Sequence, residues 1–165
     1  MYYENVFSAL QQNSIRYAVA GGVALVLHGV VRFTADLDLI VDLEPDNLKR
    51  FIHAMDELGC VPRNPVKAEE LLDPAARIRW KREKGMEVFS FVDPGQPMTL
   101  IDVFIEEKIP FGEVMKELVR VSAKGIAIPV VSLAHLKRLK KAAGRPQDVA
   151  DIEAIESLEQ AEEKE

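Results

Sequence analysis

Cysteine, tryptophan and long apolar runs are scarce in this 165-residue chain. Cys60 is the single cysteine, so no disulfide can form within the chain, which fits a reducing compartment. The longest apolar stretch, residues 17–27, contains two glycines and is shorter than the ~18 residues expected of a membrane span. Residues 1–10 include Glu4 and no long apolar run, unlike a signal peptide. We therefore expect a cytoplasmic protein with no membrane partner.

An excess of one charge sign is also absent from most of the chain. The net charge is -6, but residues 151–165 alone carry seven acids and one lysine, which leaves 20 acids and 20 bases in the first 150 residues. This balance excludes a general coat for nucleic acid, although clustered bases could meet a phosphate-bearing ligand locally or form solvated helix faces. Two such clusters occur: Arg77, Arg79, Lys81, Arg82 and Lys84, which surround Trp80, and Lys137, Arg138, Lys140, Lys141 and Arg145. Trp80 could stack on a base or, more commonly, pack in the core.

The length and the composition describe an ordinary globular protein. With 48% apolar and 29% charged residues, the chain can bury a sizeable core without a disulfide or a structural metal. About 100–200 residues is the usual size of one domain. We therefore expect residues 1–165 to form a single α+β domain, with a core over about residues 15–105 and C-terminal helices over about residues 132–160.

Hydrophobic periodicity predicts the order of helices and strands. Strands are predicted at residues 15–20, 36–41, 86–92 and 100–105, and helices at residues 3–11, 23–28, 45–58, 67–72 and 132–143, followed by a last helix. The turn Asp93-Pro94-Gly95 joins the third and fourth strands as a hairpin. Ser132 is a plausible N-cap, with Leu133, Leu136, Leu139 and Ala143 as the buried stripe of that helix. Val149, Ile152, Ile155 and Leu158 continue the pattern in the last helix.

Asp36 and Asp38 stand out on the second predicted strand. They are two residues apart, so both carboxylates project from one face, with Cα atoms ~6.5–7 Å apart at ~3.3 Å rise per residue. Leu37 and Leu39 alternate with them and predict a buried opposite face. Two carboxylates can share a hard divalent cation, and Mg²⁺ prefers one or two carboxylates together with waters and phosphate oxygens.

The glycine pair Gly21-Gly22 precedes these acids by 13 residues. Glycines allow the backbone to approach a ligand closely, and the helix that follows directs its free N–H groups towards the same place. This arrangement suits a phosphate. A metal site beside a phosphate cradle is the apparatus of phosphoryl or nucleotidyl transfer.

The glycine pair, the spacer and the acid pair together resemble the signature of the nucleotidyltransferase superfamily. That signature is an apolar residue, Gly-Gly or Gly-Ser, about a dozen residues, and then Asp-apolar-Asp/Glu-apolar. The run from Gly21-Gly22 through His28-Gly29 to Arg32-Phe33-Thr34-Ala35-Asp36-Leu37-Asp38 is most similar to the bacterial AbiEii-like branch, which is often linked to toxin–antitoxin or phage-defence systems. In the superfamily a third carboxylate comes from a later strand, and Ile101-Asp102-Val103 matches that description.

The resemblance implies a polymerase beta-like fold, with a mixed β-sheet flanked by helices and a C-terminal helical pair. It also implies that Asp36 and Asp38 bind Mg²⁺ or Mn²⁺, while Asp102 completes a second metal site or orients and deprotonates the acceptor hydroxyl. Gly21 and Gly22 would cradle the β- and γ-phosphates of a nucleoside triphosphate. The acceptor would be RNA, a protein or a small molecule, and a cognate antitoxin or toxin protein is a further expected partner.

Arg32 and Thr34 belong to the resembled run. Arg32 either touches phosphate or neutralises Asp36 or Asp42, and the sequence leaves both alternatives open. Thr34 fits a turn or the start of a strand, and it is also a candidate nucleotide contact. His28 is better explained as a satisfied core or helix-end histidine than as a catalytic group.

The second basic cluster supplies two candidate phosphate ligands. Lys137 and Lys140 are neighbours on one helix, and a basic residue from this helix commonly reaches the triphosphate in the related fold. A surface role is the alternative for each lysine. Asp148 and Asp151 on the last helix are expected to pair with Arg145 or to cap the helix rather than to bind metal.

Two other classes of function stay open at this stage. The chain could keep the fold as a catalytically silent nucleotide- or partner-binding regulatory module, for instance in a toxin–antitoxin pair. Alternatively, an Asp-x-Asp motif also occurs in glycosyltransferases that use sugar nucleotides. That reading predicts a parallel sheet of the dinucleotide-binding type.

Overall fold

A seven-stranded mixed sheet organises the chain. The computed structural model describes residues 3–165. The strands are β1 (Tyr17–Ala20), β2 (Leu37–Val41), β3 (Val61–Pro62), β4 (Val88–Val92), β5 (Leu100–Phe104), β6 (Val119–Ala123) and β7 (Ile126–Val130). Their order in the sheet is β3-β4-β5-β2-β1-β7-β6. The pairs β2–β5 and β1–β7 run parallel, and the other four pairs are antiparallel.

Helices alternate with these strands along the chain. They are α1 (Glu4–Gln12), α2 (Gly21–Leu27), α3 (Pro45–Glu57), α4 (Pro74–Lys84), α5 (Phe111–Lys116), α6 (Leu133–Ala143) and α7 (Pro146–Glu163), with a 3-10 helix at Ala68–Leu72. Helix α6 begins as predicted, because the Ser132 hydroxyl accepts a hydrogen bond from the backbone N–H of His135. Helices α6 and α7 pack against each other as a C-terminal pair.

The core contains the alternate apolar residues of β2 and the whole of the central strand β1. Leu37 and Leu39 are fully buried, whereas Asp36 and Asp38 are only partly buried. All four residues of β1 are buried, because it lies between β2 and β7. The sheet therefore presents one apolar face to the core and leaves the two acids on the other face, as the period of two predicts.

Most of the predicted elements are confirmed, and the expected α+β fold class with a mixed sheet is correct. Helix α2 begins at Gly21, so the glycines form the first turn of the helix rather than a separate turn before it. Asp36 lies one residue before β2. The sequence analysis missed α4, α5 and the β6–β7 hairpin. Helix α4 has no clear apolar face and α5 is only 6 residues long, whereas the alternating apolar residues of β6 and β7 were an available strand signal.

The buried faces of the C-terminal helices differ from the predicted stripes. On α6, Leu133 and Leu136 are buried as expected, but Ala143 is exposed. On α7, Val149 is 58% exposed, so its assignment to the core was wrong. The residues of α7 that are buried are Asp148, Asp151 and Ile155. Two of these are acids, and a search for apolar spacing could not select them.

Two exclusions follow from the architecture. The sheet is mixed, which argues against the parallel dinucleotide-binding sheet that the glycosyltransferase reading requires. Among the helices of residues 3–165, none is both long and apolar enough to cross a membrane.

The aromatic cluster under the β3–β4 edge should be a major source of stability. Phe91 is 1% exposed and meets Phe51 edge-on with ring centroids 5.8 Å apart. We expect Phe91→Ala to lower the free energy of unfolding by about 3–5 kcal/mol, because it opens a cavity in a packed core. The control Met98→Ala removes a side chain that is 86% exposed and should change stability by less than about 0.5 kcal/mol. Urea denaturation of both variants measures this, and equal stabilities would contradict it.

Candidate active site

A cavity of about 640 Å³ lies over the acid-bearing face of the sheet. The sheet contributes Asp36, Asp38 and Asp102 to its lining, and the glycine turn and α6 contribute facing walls. Its other lining residues include Gly21, Gly22, Arg32, Thr34, Leu136, Lys140 and Arg145. The predicted acids and the predicted glycine turn therefore meet in one place.

The parallel pairing of β2 and β5 brings the acids together. Asp38 and Asp102 are direct register partners, so their side chains emerge side by side on one face. Asp36 lies just beyond, where its Oδ1 accepts a hydrogen bond from the Leu100 backbone N–H at 3.0 Å. On the antiparallel neighbour β4, Ser90 pairs with Asp102 and donates its hydroxyl to Asp102 Oδ1 at 2.6 Å. The carboxylates of Asp36 and Asp102 are thus each held by a hydrogen bond.

The acids interact unfavourably with one another. Burial raises the pKa of Asp38 to about 7, and repulsion from Asp102 and then Asp36 adds to the shift. The positive charges of Lys140 and Arg145 oppose this rise. Such a pKa shift marks a site where negative charge is concentrated in a partly dry environment.

The pKa of Asp102 is also raised, chiefly by burial. The hydrogen bond from Ser90 counters this effect, while repulsion from Asp36 adds to it and Arg63 lowers the pKa slightly. A carboxylate with a raised pKa is a better proton acceptor than an ordinary aspartate.

Glycine is required at both positions of the predicted turn. Gly21 has φ +64°, and a Cβ built on it would lie 2.0 Å from Asp38 Oδ2. A Cβ on Gly22 would lie 2.6 Å from the Thr34 hydroxyl oxygen and 3.2 Å from Arg32 Nη1. The first turn of α2 therefore lies close to Asp38 and to the loop before β2, which carries Arg32 and Thr34. Side chains at these positions would separate the turn from the acids.

Arg32 makes neither of the two acid contacts considered for it. Its Nη1 donates to Asp151 Oδ2 at 2.9 Å, so of the two open alternatives the pairing with Asp36 or Asp42 is not the one observed. Asp42 is paired instead with Arg16 at 2.8 Å. Arg32 does line the cavity, and its contact with a phosphate stays a prediction.

The two candidate lysines are separated by the structure. Lys140 is 5% exposed, lines the cavity, and donates to Asp151 Oδ2 at 2.8 Å. Lys137 pairs with Glu159 of α7 at 2.7 Å and does not line the cavity. The structure therefore places Lys140, and not Lys137, at the cavity.

The remaining secondary candidates have structural explanations. His28 Nε2 lies 2.8 Å from the Val131 carbonyl oxygen, which agrees with a satisfied histidine at the end of a helix. Trp80 is 5% exposed, and its ring centroid lies 5.5 Å from that of Phe89, so it belongs to the core. In the same basic cluster, Lys81 pairs with Glu87 and Glu106.

Several residues of the site were missed by the sequence analysis. Ser90 lies opposite Asp102 because of the register of the β4–β5 hairpin. The two strands are joined by seven residues, and a connection of this length does not determine the register from the sequence. Arg145 precedes α7, lines the cavity and bonds to Asp148, which was expected to pair with it. Asp151 contacts two cations that no local pattern links to it. The phase of α7 was the available signal, because Asp148, Asp151 and Ile155 repeat at helical spacing.

The three aspartates have the donor chemistry of a site for a divalent cation. Among residues 3–165, no three His, Cys, Asp or Glu side chains stand in an arrangement that holds a metal ion directly. The donor chemistry fits nevertheless, since Asp36, Asp38 and Asp102 are hard oxygen ligands, and the charge of Asp36 raises the pKa of both Asp38 and Asp102. A divalent cation would relieve that repulsion, with water and phosphate oxygens completing its shell.

Neither known protein families nor curated proteins provide a match at the level of sequence. No family model matches the chain, and no curated protein matches it significantly. The comparison with solved structures is therefore the source of a relationship.

Solved structures with a similar fold are nucleotidyltransferases. The chain is similar to a candidate nucleotidyltransferase from Thermotoga maritima, with TM-score 0.58, 14% identity, and coverage of 99% of this chain and 92% of that one. It is also similar to the lincosamide antibiotic adenylyltransferase LnuA bound to lincomycin, with TM-score 0.60, 13% identity and 93% coverage of both chains. ANT(2″)-Ia in complex with adenylyl-2″-tobramycin gives TM-score 0.60 at 12% identity, covering 97% of this chain and 87% of that one.

The chain therefore has the nucleotidyltransferase fold. These similarities concern the fold of the superfamily and do not distinguish its AbiEii-like branch. In this chain the three aspartates, Gly21-Gly22 and Lys140 line one cavity.

The contact between Gly21 and Asp38 gives a sharp test of the turn. Gly21→Ala should lose about 1–2 kcal/mol from its left-handed backbone, as any such substitution does, and should also displace the Asp38 carboxylate. Gly85→Ala is the matched control, because Gly85 has φ +63° and no heavy atom within 4 Å of the added Cβ. We expect both variants to lose the backbone term in chemical denaturation, and Gly21→Ala to lose more. Equal losses would contradict the predicted clash.

The pKa of Asp38 predicts a pH-dependent stability in metal-free protein. An ordinary aspartate ionises near 3.8, whereas Asp38 does so at about 7 in the folded state, so the folded state retains a proton that the unfolded state has lost. Ionisation of Asp38 therefore lowers stability progressively between these two pH values. Asp38→Asn removes this penalty, and its stability relative to the unmodified protein should rise from pH 4 to pH 8. One pKa unit corresponds to about 1.4 kcal/mol, so the gain should be on the order of a few kcal/mol.

Denaturation in a chelating buffer at several pH values measures this difference. Asp56→Asn on the exposed face of α3 is the control and should follow the pH profile of the unmodified protein. Parallel profiles for Asp38→Asn and the unmodified protein would contradict the shifted pKa.

Proposed function

We propose that this protein is a metal-dependent nucleotidyltransferase that moves a nucleoside monophosphate from a nucleoside triphosphate to an acceptor hydroxyl. The observation that carries the proposal is the single cavity shared by the three aspartates, the glycine turn and Lys140. Ligands of a divalent cation and groups suited to phosphate thus face the same space. The nucleotidyltransferase fold supports the same conclusion.

The chain's residues divide the work of binding and proton transfer. The backbone N–H groups of Gly21 and Gly22 would cradle the β- and γ-phosphates, with Arg32 and Lys140 as further phosphate contacts. The acceptor oxygen attacks the α-phosphorus in line, a new P–O bond forms, and the bond to the β-phosphate oxygen breaks to release pyrophosphate. Asp102, whose pKa is raised by burial, would take the proton of the acceptor hydroxyl.

Asp36 and Asp38 would hold Mg²⁺ or Mn²⁺, and completing a second metal site is the alternative role of Asp102 to proton transfer. When bound, such ions neutralise charge that develops on the phosphate oxygens and orient the leaving group. Asp36 and Asp102 are each held by a hydrogen bond to a neighbouring strand or loop, which limits the reorganisation needed on binding.

The acceptor is the finer part of the proposal. Two proteins of similar fold contain lincomycin or an adenylylated tobramycin, both small molecules. RNA, a protein or a small molecule would present the required hydroxyl to this site. The run Gly21–Asp38 resembles the AbiEii-like branch. On that basis we further propose that the protein acts in a toxin–antitoxin or defence system with a cognate protein partner.

Transfer of label from an α-labelled nucleoside triphosphate tests the proposal directly. We expect Mg²⁺-dependent release of pyrophosphate or labelling of an acceptor from a cell extract, and loss of at least about a hundredfold in Asp102→Asn, because proton transfer typically contributes 10²–10⁴-fold. Lys140→Met should also be impaired, whereas Lys137→Met, which breaks only the contact to Glu159, should retain activity.

Two outcomes would redirect the proposal. If the protein shows no turnover and no nucleotide-dependent thermal shift, a catalytically silent, partner-binding module would be favoured. Equal activities of Lys140→Met and Lys137→Met would remove Lys140 from the phosphate site while leaving the acid site in place.

A further inference from the structure

One carboxylate oxygen of α7 joins two cations from distant parts of the chain. Asp151 Oδ2 accepts from Lys140 Nζ on α6 at 2.8 Å and from Arg32 Nη1, in the loop before β2, at 2.9 Å. Asp148 Oδ1 adds a second acidic contact to Lys140 at 3.4 Å. The last helix thereby ties α6 to the loop that leads into the acid pair.

This junction is buried, which makes its charges interdependent. Asp151 and Lys140 are each 5% exposed, and only 18% of the Arg32 side chain is accessible. Buried charges persist in proteins when they are paired and hydrogen-bonded. Removal of Asp151 would leave two neighbouring cations that repel each other, and the two would move apart.

The junction also adjoins the glycine turn. Arg32 Nη1, the atom bonded to Asp151, lies 3.2 Å from the position of a Cβ on Gly22. Both Arg32 and Lys140 line the cavity. The orientation of these cations towards the proposed phosphate cradle therefore depends on an acid of α7.

The cations keep donors for a ligand while they are bound to Asp151. A lysine ammonium has three N–H donors and an arginine guanidinium has five. Asp151 accepts one N–H of each cation and Asp148 lies near a second N–H of Lys140, which leaves one N–H of Lys140 and further N–H groups of Arg32 for phosphate oxygens. Asp151 can thus orient the pair without competing with a phosphate for all of its donors.

We infer that Asp151 is a positioning residue that holds Lys140 and Arg32 together as a two-cation site for the triphosphate. The inference rests on the proposed nucleotidyl transfer and deepens it, because it makes the C-terminal helix part of nucleotide recognition. The ligand class is a triphosphate, since two adjacent cations beside the glycine turn suit the β- and γ-phosphates rather than a single phosphate.

Calorimetric titration of the full chain with Mg²⁺ and nucleotides tests the inference. The common nucleoside triphosphates are first ranked by thermal shift, and the tightest binder is then compared with its own monophosphate. We expect Asp151→Ala to raise the Kd of the triphosphate roughly tenfold or more, as for contacting groups in one network, and that of the monophosphate less than about twofold. Asp151→Asn keeps an acceptor oxygen but loses the charge. Its Kd for the triphosphate should therefore lie between those of the unmodified protein and Asp151→Ala.

Glu153→Gln is the matched control, because it removes an exposed acid of the same helix and should leave both affinities unchanged. In steady-state assays Asp151→Asn should raise KM for the triphosphate more than it lowers kcat. Lys140→Met and Asp151→Asn together should cost less than the product of their separate effects, since both act through one contact.

The alternatives give distinct results. Tighter triphosphate binding in Asp151→Asn would mean that Asp151 competes with phosphate, and this would overturn the inference. Equal losses for the triphosphate and the monophosphate would indicate general destabilisation and would also overturn it. If the unmodified protein binds triphosphate and the variants match it, the inference alone fails. If the unmodified protein binds none, the proposed function fails as well.

Discussion

Mutual repulsion among the clustered carboxylates is the constraint around which the rest of the site is arranged. Asp38 and Asp102 are register partners on parallel strands, and burial together with their proximity makes ionisation of both unfavourable. The sheet can hold this arrangement because the alternate residues of β2 and β5 are firmly buried in the core. Fold stability obtained on one face therefore supports an unfavourable concentration of charge on the other.

Compensating charge comes from the opposite side of the cavity and is itself organised by acids. Lys140 and Arg145 lower the pKa of Asp38, and both are bound by acids of α7. The site thus consists of successive layers of opposite sign, from the strands to the cations and then to the last helix. A nucleotide with its metal would join this series between the first two layers.

Sequence reasoning succeeded where local geometry determines position. The spacing of Asp36 and Asp38 and the alternation with Leu37 were enough to predict one acidic face, and the glycine pair correctly predicted the wall of the same site, where it lies close to Asp38. It failed where partners are distant in the chain. Nothing local connects Arg32 to Asp151, which was expected to pair with Arg145 or to cap the helix and instead binds Arg32 and Lys140. Registers between strands, which place Ser90 beside Asp102, require a tertiary structure.

The parallel pairing of β2 with β5 has a consequence for how the site comes into being during folding. Strands that run parallel cannot be joined by a tight turn. Between β2 and β5 the chain forms α3, β3, the 3-10 helix, α4 and β4. Loop closure over such a distance is slow and costs entropy before any contact rewards it. The acidic cluster consequently has no precursor in a fragment or an early hairpin, and cation affinity should emerge only when the central sheet has closed, which makes it a reporter of completed topology.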